Sequence, residues 1–209
     1  MPDKSPDLDS AYALETPEDN RKLYADWATT YDSGFAEGMG YQLPRIIAEI
    51  FRQIYTGPGP VLDVGAGTGL VADHLGPDWP APIDALDISP EMLAVAAAKG
   101  RYRQTIEADL TAPLTLMPEQ YDAILSAGTF THGHLGPDAL DPLLALAKTG
   151  ATFVLSINAK HYEAHGFAAK LATLRDAISD LTLKELPIYA GNTTDHAQDT
   201  AQITVFTKA

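Results

Sequence analysis

Apolar residues along this chain recur with two periods, and the switching between them predicts strands interleaved with helices. Short apolar runs at 61–64, 83–86, 121–126 and 152–157 read as buried strands, and 102–108 reads as another. Between them apolar positions fall three and four apart, as in Val71, Ala72 and Leu75 after the first run. A helix starts at Pro90, capped by Ser89 and closed by Gly100. Two more are expected at 138–148 and 161–177, and two closing strands at 181–189 and 202–208, joined by a polar loop over 191–200. Upstream, Thr16, Pro17, Glu18 and Asp19 form a helix start, and Leu23, Tyr24, Trp27 and Tyr31 share one face. Residues 34–40 read as a glycine-rich hinge. A second helix over 41–55 points Ile46, Ile47, Ile50, Phe51 and Ile54 at the core. Residues 1–16 are acidic, bear prolines and read as a loose arm.

The first strand runs straight into Gly65-Ala66-Gly67-Thr68-Gly69-Leu70. A strand, a glycine turn and a helix together make a nucleotide cradle, because glycines let the backbone lie against a ligand. The spacing is G-x-G-x-G, with Leu70 where the dinucleotide fingerprint has its last glycine, and no P-loop Lys-Ser/Thr follows. Asp63 ends a buried strand just before the loop, where a carboxylate repels phosphate and suits an ammonium. Asp87 ends the next strand at the distance where an acid meets ribose hydroxyls. Ribose without pyrophosphate, plus an amine, points to S-adenosylmethionine.

At VLDVGAGTGL (61–70), ALDISPEML (86–93 and its lead-in), IEADL (106–110) and YDAILSAGTF (121–130) the chain resembles the class I S-adenosylmethionine-dependent methyltransferases, of the small-molecule type similar to ubiquinone-biosynthesis and methyltransferase-like proteins. Residues 24–32 resemble the aromatic helix that lids the cofactor there. The resemblance implies an α/β, Rossmann-like three-layer sandwich. Its sheet is seven-stranded and mostly parallel, with an antiparallel last strand and an N-terminal helical lid. It implies that Asp63, Gly65, Ala66, Gly67 and Gly69 hold the methionine part and Asp87 the ribose. Ile88, Met92, Asp109 and Leu110 would meet the adenine. Tyr24, Ser126, Ala127 and Gly128 complete the cofactor contacts. Tyr31, Trp27, Phe130 and Tyr162 would lie near the acceptor.

Catalysis by in-line displacement needs mainly positioning, and a base only where the acceptor loses a proton. His132 and His134, in a glycine-flanked loop, are the candidate bases, with His132 favoured. His161 and His165 stand four apart like metal ligands, but no third ligand is evident in the sequence, so no metal is expected.

Composition narrows the partners. The 209 residues suit one structural domain, read as an arm and lid over 1–56 and a cofactor-binding core over 57–209. A net charge of −14 repels nucleic acid. There is no cysteine, no signal-peptide pattern and no run of membrane-spanning length, so a cytoplasmic enzyme is expected, acting on a small-molecule methyl acceptor, with a homodimer as the candidate assembly. The sequon Asn192-Thr193-Thr194 is read as chance. Two other readings compete: a nicotinamide-dependent oxidoreductase, and a non-catalytic S-adenosylmethionine-binding module.

Overall fold

In the computed structural model, residues 10–11, 14, 16–114, 116–190 and 196–209 are described. Most of the acidic arm, and the sequon at 192–194, lie outside the described residues.

Strand β1 (Val61–Val64) is buried along its whole length, Asp63 included, as a central strand is in a sheet covered on both faces. It pairs in parallel with β2 (Ile83–Asp87) on one side and β4 (Tyr121–Phe130) on the other. The sheet has seven strands in the order β3-β2-β1-β4-β5-β7-β6. Here β3 is Gln104–Glu107, β5 Ala147–Asn158, β6 Ile178–Pro187 and β7 Thr200–Lys208. Only β7 runs against its neighbours. The strand order reverses between β1 and β4, and ligands of such sheets sit at that switch, beyond the carboxyl ends of the strands.

Helices cover both faces. On one, α2 (Leu43–Ile54) buries Ile47 and Phe51 beside Leu75 of α3 (Leu70–Leu75). On the other, α5 (Leu140–Leu146) and α7 (Phe167–Thr173) pack Leu140, Leu143 and Phe167 against Phe130, Phe153 and Phe206. The N-terminal helix α1 (Pro17–Trp27) is fixed at its start by a reciprocal cap. The Asp19 N–H donates to Thr16 Oγ1 at 3.1 Å, and the Thr16 N–H donates to Asp19 Oδ2 at 3.2 Å. Ser89 caps α4 (Pro90–Ala98) by accepting from the Met92 N–H at 3.2 Å.

Several boundaries differ from the sequence reading. The first helix stops at Trp27, and Tyr31–Glu37 forms a separate π-helical turn that absorbs Gly34, so the first part of the expected hinge is helical and residues 38–40 form a turn. Ile54 is 48% exposed rather than core-facing. β4 continues through 127–130 after a register shift between Ser126 and Phe130, where a loop was expected. The helix expected over 161–177 is two, α6 (Ala159–Ala164) and α7, broken where Gly166 takes a φ of 75°. Lys148, expected in a helix, stands in β5.

Candidate active site

The carboxyl ends of β1 to β4 surround a cavity of about 460 Å³, walled by Gly65, Gly67, Asp87, Ile88, Asp109, Leu110 and the 127–129 segment. Its geometry follows from the glycine turn. At Gly69 the chain turns into α3 with φ at 92°, and a Cβ there would meet the Tyr102 ring at 2.9 Å. No other residue permits both the angle and the approach. The turn delivers the Gly67 N–H to Asp87 Oδ2 at 2.8 Å, while the Ser89 N–H donates to Oδ1 at 2.9 Å. A carboxylate has about four acceptor sites, so roughly two remain for ligand hydroxyls. Burial raises the Asp87 pKa, and the backbone donors oppose that rise.

Beside Asp87, Ile88, Met92 and Leu110 make an apolar slot, closed by Asp109. Thr111 donates its N–H (2.8 Å) and its hydroxyl (2.6 Å) to Asp109 Oδ1, and Arg21 of α1 approaches Oδ2 at 3.8 Å.

The far end is aromatic. Tyr24, Tyr31 and Tyr41 line it, with His134 from the loop after β4. His134 Nδ1 lies 2.8 Å from the His132 carbonyl, which can only accept. Nδ1 therefore carries the proton, and Nε2 accepts from the Tyr24 hydroxyl at 2.9 Å. Burial lowers the His134 pKa, so the ring is neutral at pH 7. Tyr31 is held well above the ordinary tyrosine range, first by burial and then by Tyr41 and Tyr24, so it is a neutral phenol and not a base.

The aromatic wall is tied down at two points. The Asn20 amide donates to the carbonyls of Gly133 (2.7 Å) and Thr16 (3.1 Å). Asp32, in the π-helical turn, accepts from the Thr68 hydroxyl in the glycine turn and from Lys99 Nζ at 2.7 Å. Lys99 also reaches Asp73 of α3 at 2.8 Å.

Of the residues expected from the sequence, Tyr24, Tyr31, Gly65, Gly67, Asp87, Ile88, Met92, Asp109, Leu110, Ala127, Gly128 and His134 line the cavity. The others do not. Asp63 lies behind the turn, 1% exposed, accepting from the Tyr102 hydroxyl at 2.7 Å. Burial raises its pKa to about 7. Ala66 packs on Ala85 and Leu93, and Gly69 only shapes the turn. Ser126 is fully buried and donates to the Val64 carbonyl at 2.8 Å.

Trp27 and Phe130 border a second, small cavity of about 50 Å³ and are themselves buried. Phe130 meets Phe167 edge to face at 6.0 Å, and Tyr162 stacks on the same ring at 5.9 Å, so both serve the core beneath the site. His132, favoured over His134 by sequence, is not among the lining residues and stands beside His161 and His165.

The sequence reading missed Asn20 and Tyr41 as lining residues. Tyr41 had a local signal. Gly128, at φ 84°, would place a Cβ only 2.1 Å from the Tyr41 hydroxyl, and a glycine inside a strand marks such a close approach.

The donor set fits a nucleoside carrying a cationic amino-acid tail. Asp87 has acceptor sites to spare. Two buried oxygens, Asp63 Oδ1 and Asn20 Oδ1, have no partner among the described residues. π faces line the other end and attract a cationic sulfur. Fold and cavity together resemble those of the class I S-adenosylmethionine-dependent methyltransferases.

The sequence profile of a methyltransferase domain matches residues 61–150. The chain is 29% identical over 160 residues to human methyltransferase-like protein 27, across 75% of this chain and 64% of that protein, so it spans less than two thirds of that relative. Among solved structures, the magnesium protoporphyrin IX methyltransferase of Synechocystis PCC 6803 with bound S-adenosylmethionine is similar at a TM-score of 0.66 and 18% identity. That match covers 94% of this chain and 99% of the other. The [4+2]-cyclase SpnF is similar at 0.68 and 14% identity, over 93% and 97%. At these identities the likeness is one of fold.

Proposed function

We propose that this chain transfers the methyl group of S-adenosylmethionine to a small-molecule acceptor. The observation that carries the proposal is one continuous cavity with a free-acceptor carboxylate, Asp87, at one end and the Tyr24–His134 pair at the other. The cofactor supplies an electrophilic methyl on a sulfonium. Asp87 would hold the ribose hydroxyls; Ile88, Met92, Leu110 and Asp109 would hold the adenine. Gly65 and Gly67 would flank the methionine part, with the unpaired oxygen of Asp63 behind them.

The acceptor would lie among Tyr24, Tyr41 and His134. Where it must lose a proton, that proton moves to the Tyr24 oxygen as the Tyr24 proton passes to His134 Nε2. The resulting imidazolium keeps its Nδ1–H on the His132 carbonyl. A cavity of this size, in a chain of net charge −14, suits a small acceptor better than a nucleic acid.

The test is methyl-labelled S-adenosylmethionine incubated with small oxygen, nitrogen and carbon acceptors. Label transfer is expected, and His134→Ala should slow it by about 10²–10⁴-fold for acceptors that lose a proton. Cofactor binding without transfer to any acceptor would favour a binding module. Turnover of a nicotinamide cofactor instead would favour the oxidoreductase.

A further inference from the structure

Three of the six histidines converge beside the cavity, and neither the fold nor the proposed reaction accounts for them. His132 follows β4, His161 lies in α6, and His165 follows α6 by one residue. One ring nitrogen from each lies within 4.8 Å of the other two. Ring centroids are 4.2 Å apart for His161 and His165, and 5.3 Å for His132 and His161.

The protonation of His161 is fixed by its surroundings. Its Nε2 is 2.9 Å from the Leu135 carbonyl, which only accepts, so Nε2 carries the proton and Nδ1 presents a lone pair. That lone pair is buried and has no partner among the described residues, in a side chain only 3% exposed. Leaving a buried acceptor unpaired is costly, because it gives up its hydrogen bonds to water with nothing in return. A ring held by a carbonyl through one nitrogen, with the other bare, is the arrangement of a metal-ligating histidine.

We propose that His132, His161 and His165 bind one divalent first-row transition-metal ion, with His161 Nδ1 as the anchoring ligand. Three neutral imidazoles suit zinc, nickel or copper. Around a tetrahedral zinc bound at about 2.0–2.1 Å the donors lie roughly 3.3 Å apart, so the cluster closes by up to about 1.5 Å. His165 is exposed and His132 stands in a loop, so both can make that movement. His161 and His165 also line the cavity, which leaves the remaining coordination position facing it. A three-histidine ion with an open position takes an acceptor atom that bears a lone pair, such as a hydroxyl, thiol or carboxylate oxygen. That consequence rests on the methyl-transfer reading; metal binding does not.

The test uses the full chain without an affinity tag. Co²⁺ is titrated while its visible absorption is followed, and Zn²⁺ is then used to displace it. One equivalent of four-coordinate Co²⁺, displaced by one of Zn²⁺, is expected. His132→Ala and His165→Ala, neither at a fully buried position, should each weaken binding by at least about 10–100-fold, the loss that even outer-shell changes bring. His74→Ala, at an exposed histidine away from the cluster, should leave it unchanged. Absence of saturable one-to-one binding, or equal affinity in the His132 and His165 variants, overturns the site. S-adenosylmethionine binding, measured separately on the same samples, reports on the proposed function and not on this one.

Discussion

Asp63 shows how one buried side chain couples stability to pH. Its pKa lies near 7 because burial disfavours its charge, while the Tyr102 hydroxyl only partly offsets that. In the unfolded chain it titrates near 3.9. Between those values the folded state holds more protons, so its contribution to stability falls as pH rises from about 4 to 7 and is then level. Asp63→Asn removes this penalty. The variant's stability relative to the parent should grow over that window, by about 1.4 kcal/mol for each pH unit crossed, measured by denaturant unfolding at several pH values. A parallel pair of curves would contradict the account.

The acid itself was legible in the sequence as a carboxylate on a buried strand just before the glycine turn. Its retreat behind the glycine turn was not, because it depends on Tyr102, which is 39 residues away. The same holds for the three histidines. His161 and His165 are neighbours in sequence, but His132 reaches them only through the packing of the loop after β4 on α6.

Larger elements were read best where a cap or a glycine punctuates them. β1 and the start of α4 match the sequence reading because Ser89, Pro90 and the apolar run state their own limits. The run from Ala127 to Phe130 was read as a loop because Gly128 and Thr129 break the apolar text, yet it continues β4 over a bulge. This changes the role of Phe130, which is fully buried against Phe167. Phe130→Ala should cost about 3–5 kcal/mol of stability, read by thermal or denaturant unfolding. A loss confined to acceptor affinity would contradict its placement.

The π-helical turn is pinned by charge. Asp32, Lys99 and Asp73 join it to α3 and α4. These side chains are partly exposed, so Lys99→Ala should cost no more than about 1–2 kcal/mol globally. Hydrogen exchange over residues 31–37 should nevertheless quicken while β1, β4 and β5 stay protected, since the turn loses its anchor to the sheet. Unchanged exchange there would show that aromatic packing alone holds the turn.

In the whole molecule, the reversal of strand order between β1 and β4 sets where a ligand goes, and the chain's chemistry is placed accordingly. Asp87, Ile88, Asp109 and Leu110 come from the ends of β2 and β3, the turn from β1, and His134 from the loop after β4. The aromatic cover comes from α1, the π-helical turn and Tyr41. Among the described residues no helix is long and apolar enough to cross a membrane. The fold class was legible because strand and helix periods alternate in a fixed order. The acceptor was not, since the same fold also carries a protein described as a cyclase.

Calorimetric titration of the intact chain with S-adenosylmethionine and with its demethylated product, beside Asp87→Ala, tests the central claim most directly. Saturable one-to-one binding of both is predicted, weakened roughly 100-fold or more in the variant as two charge-assisted hydrogen bonds are lost. Absence of binding, or binding that Asp87→Ala leaves untouched, would contradict the assignment of the cavity.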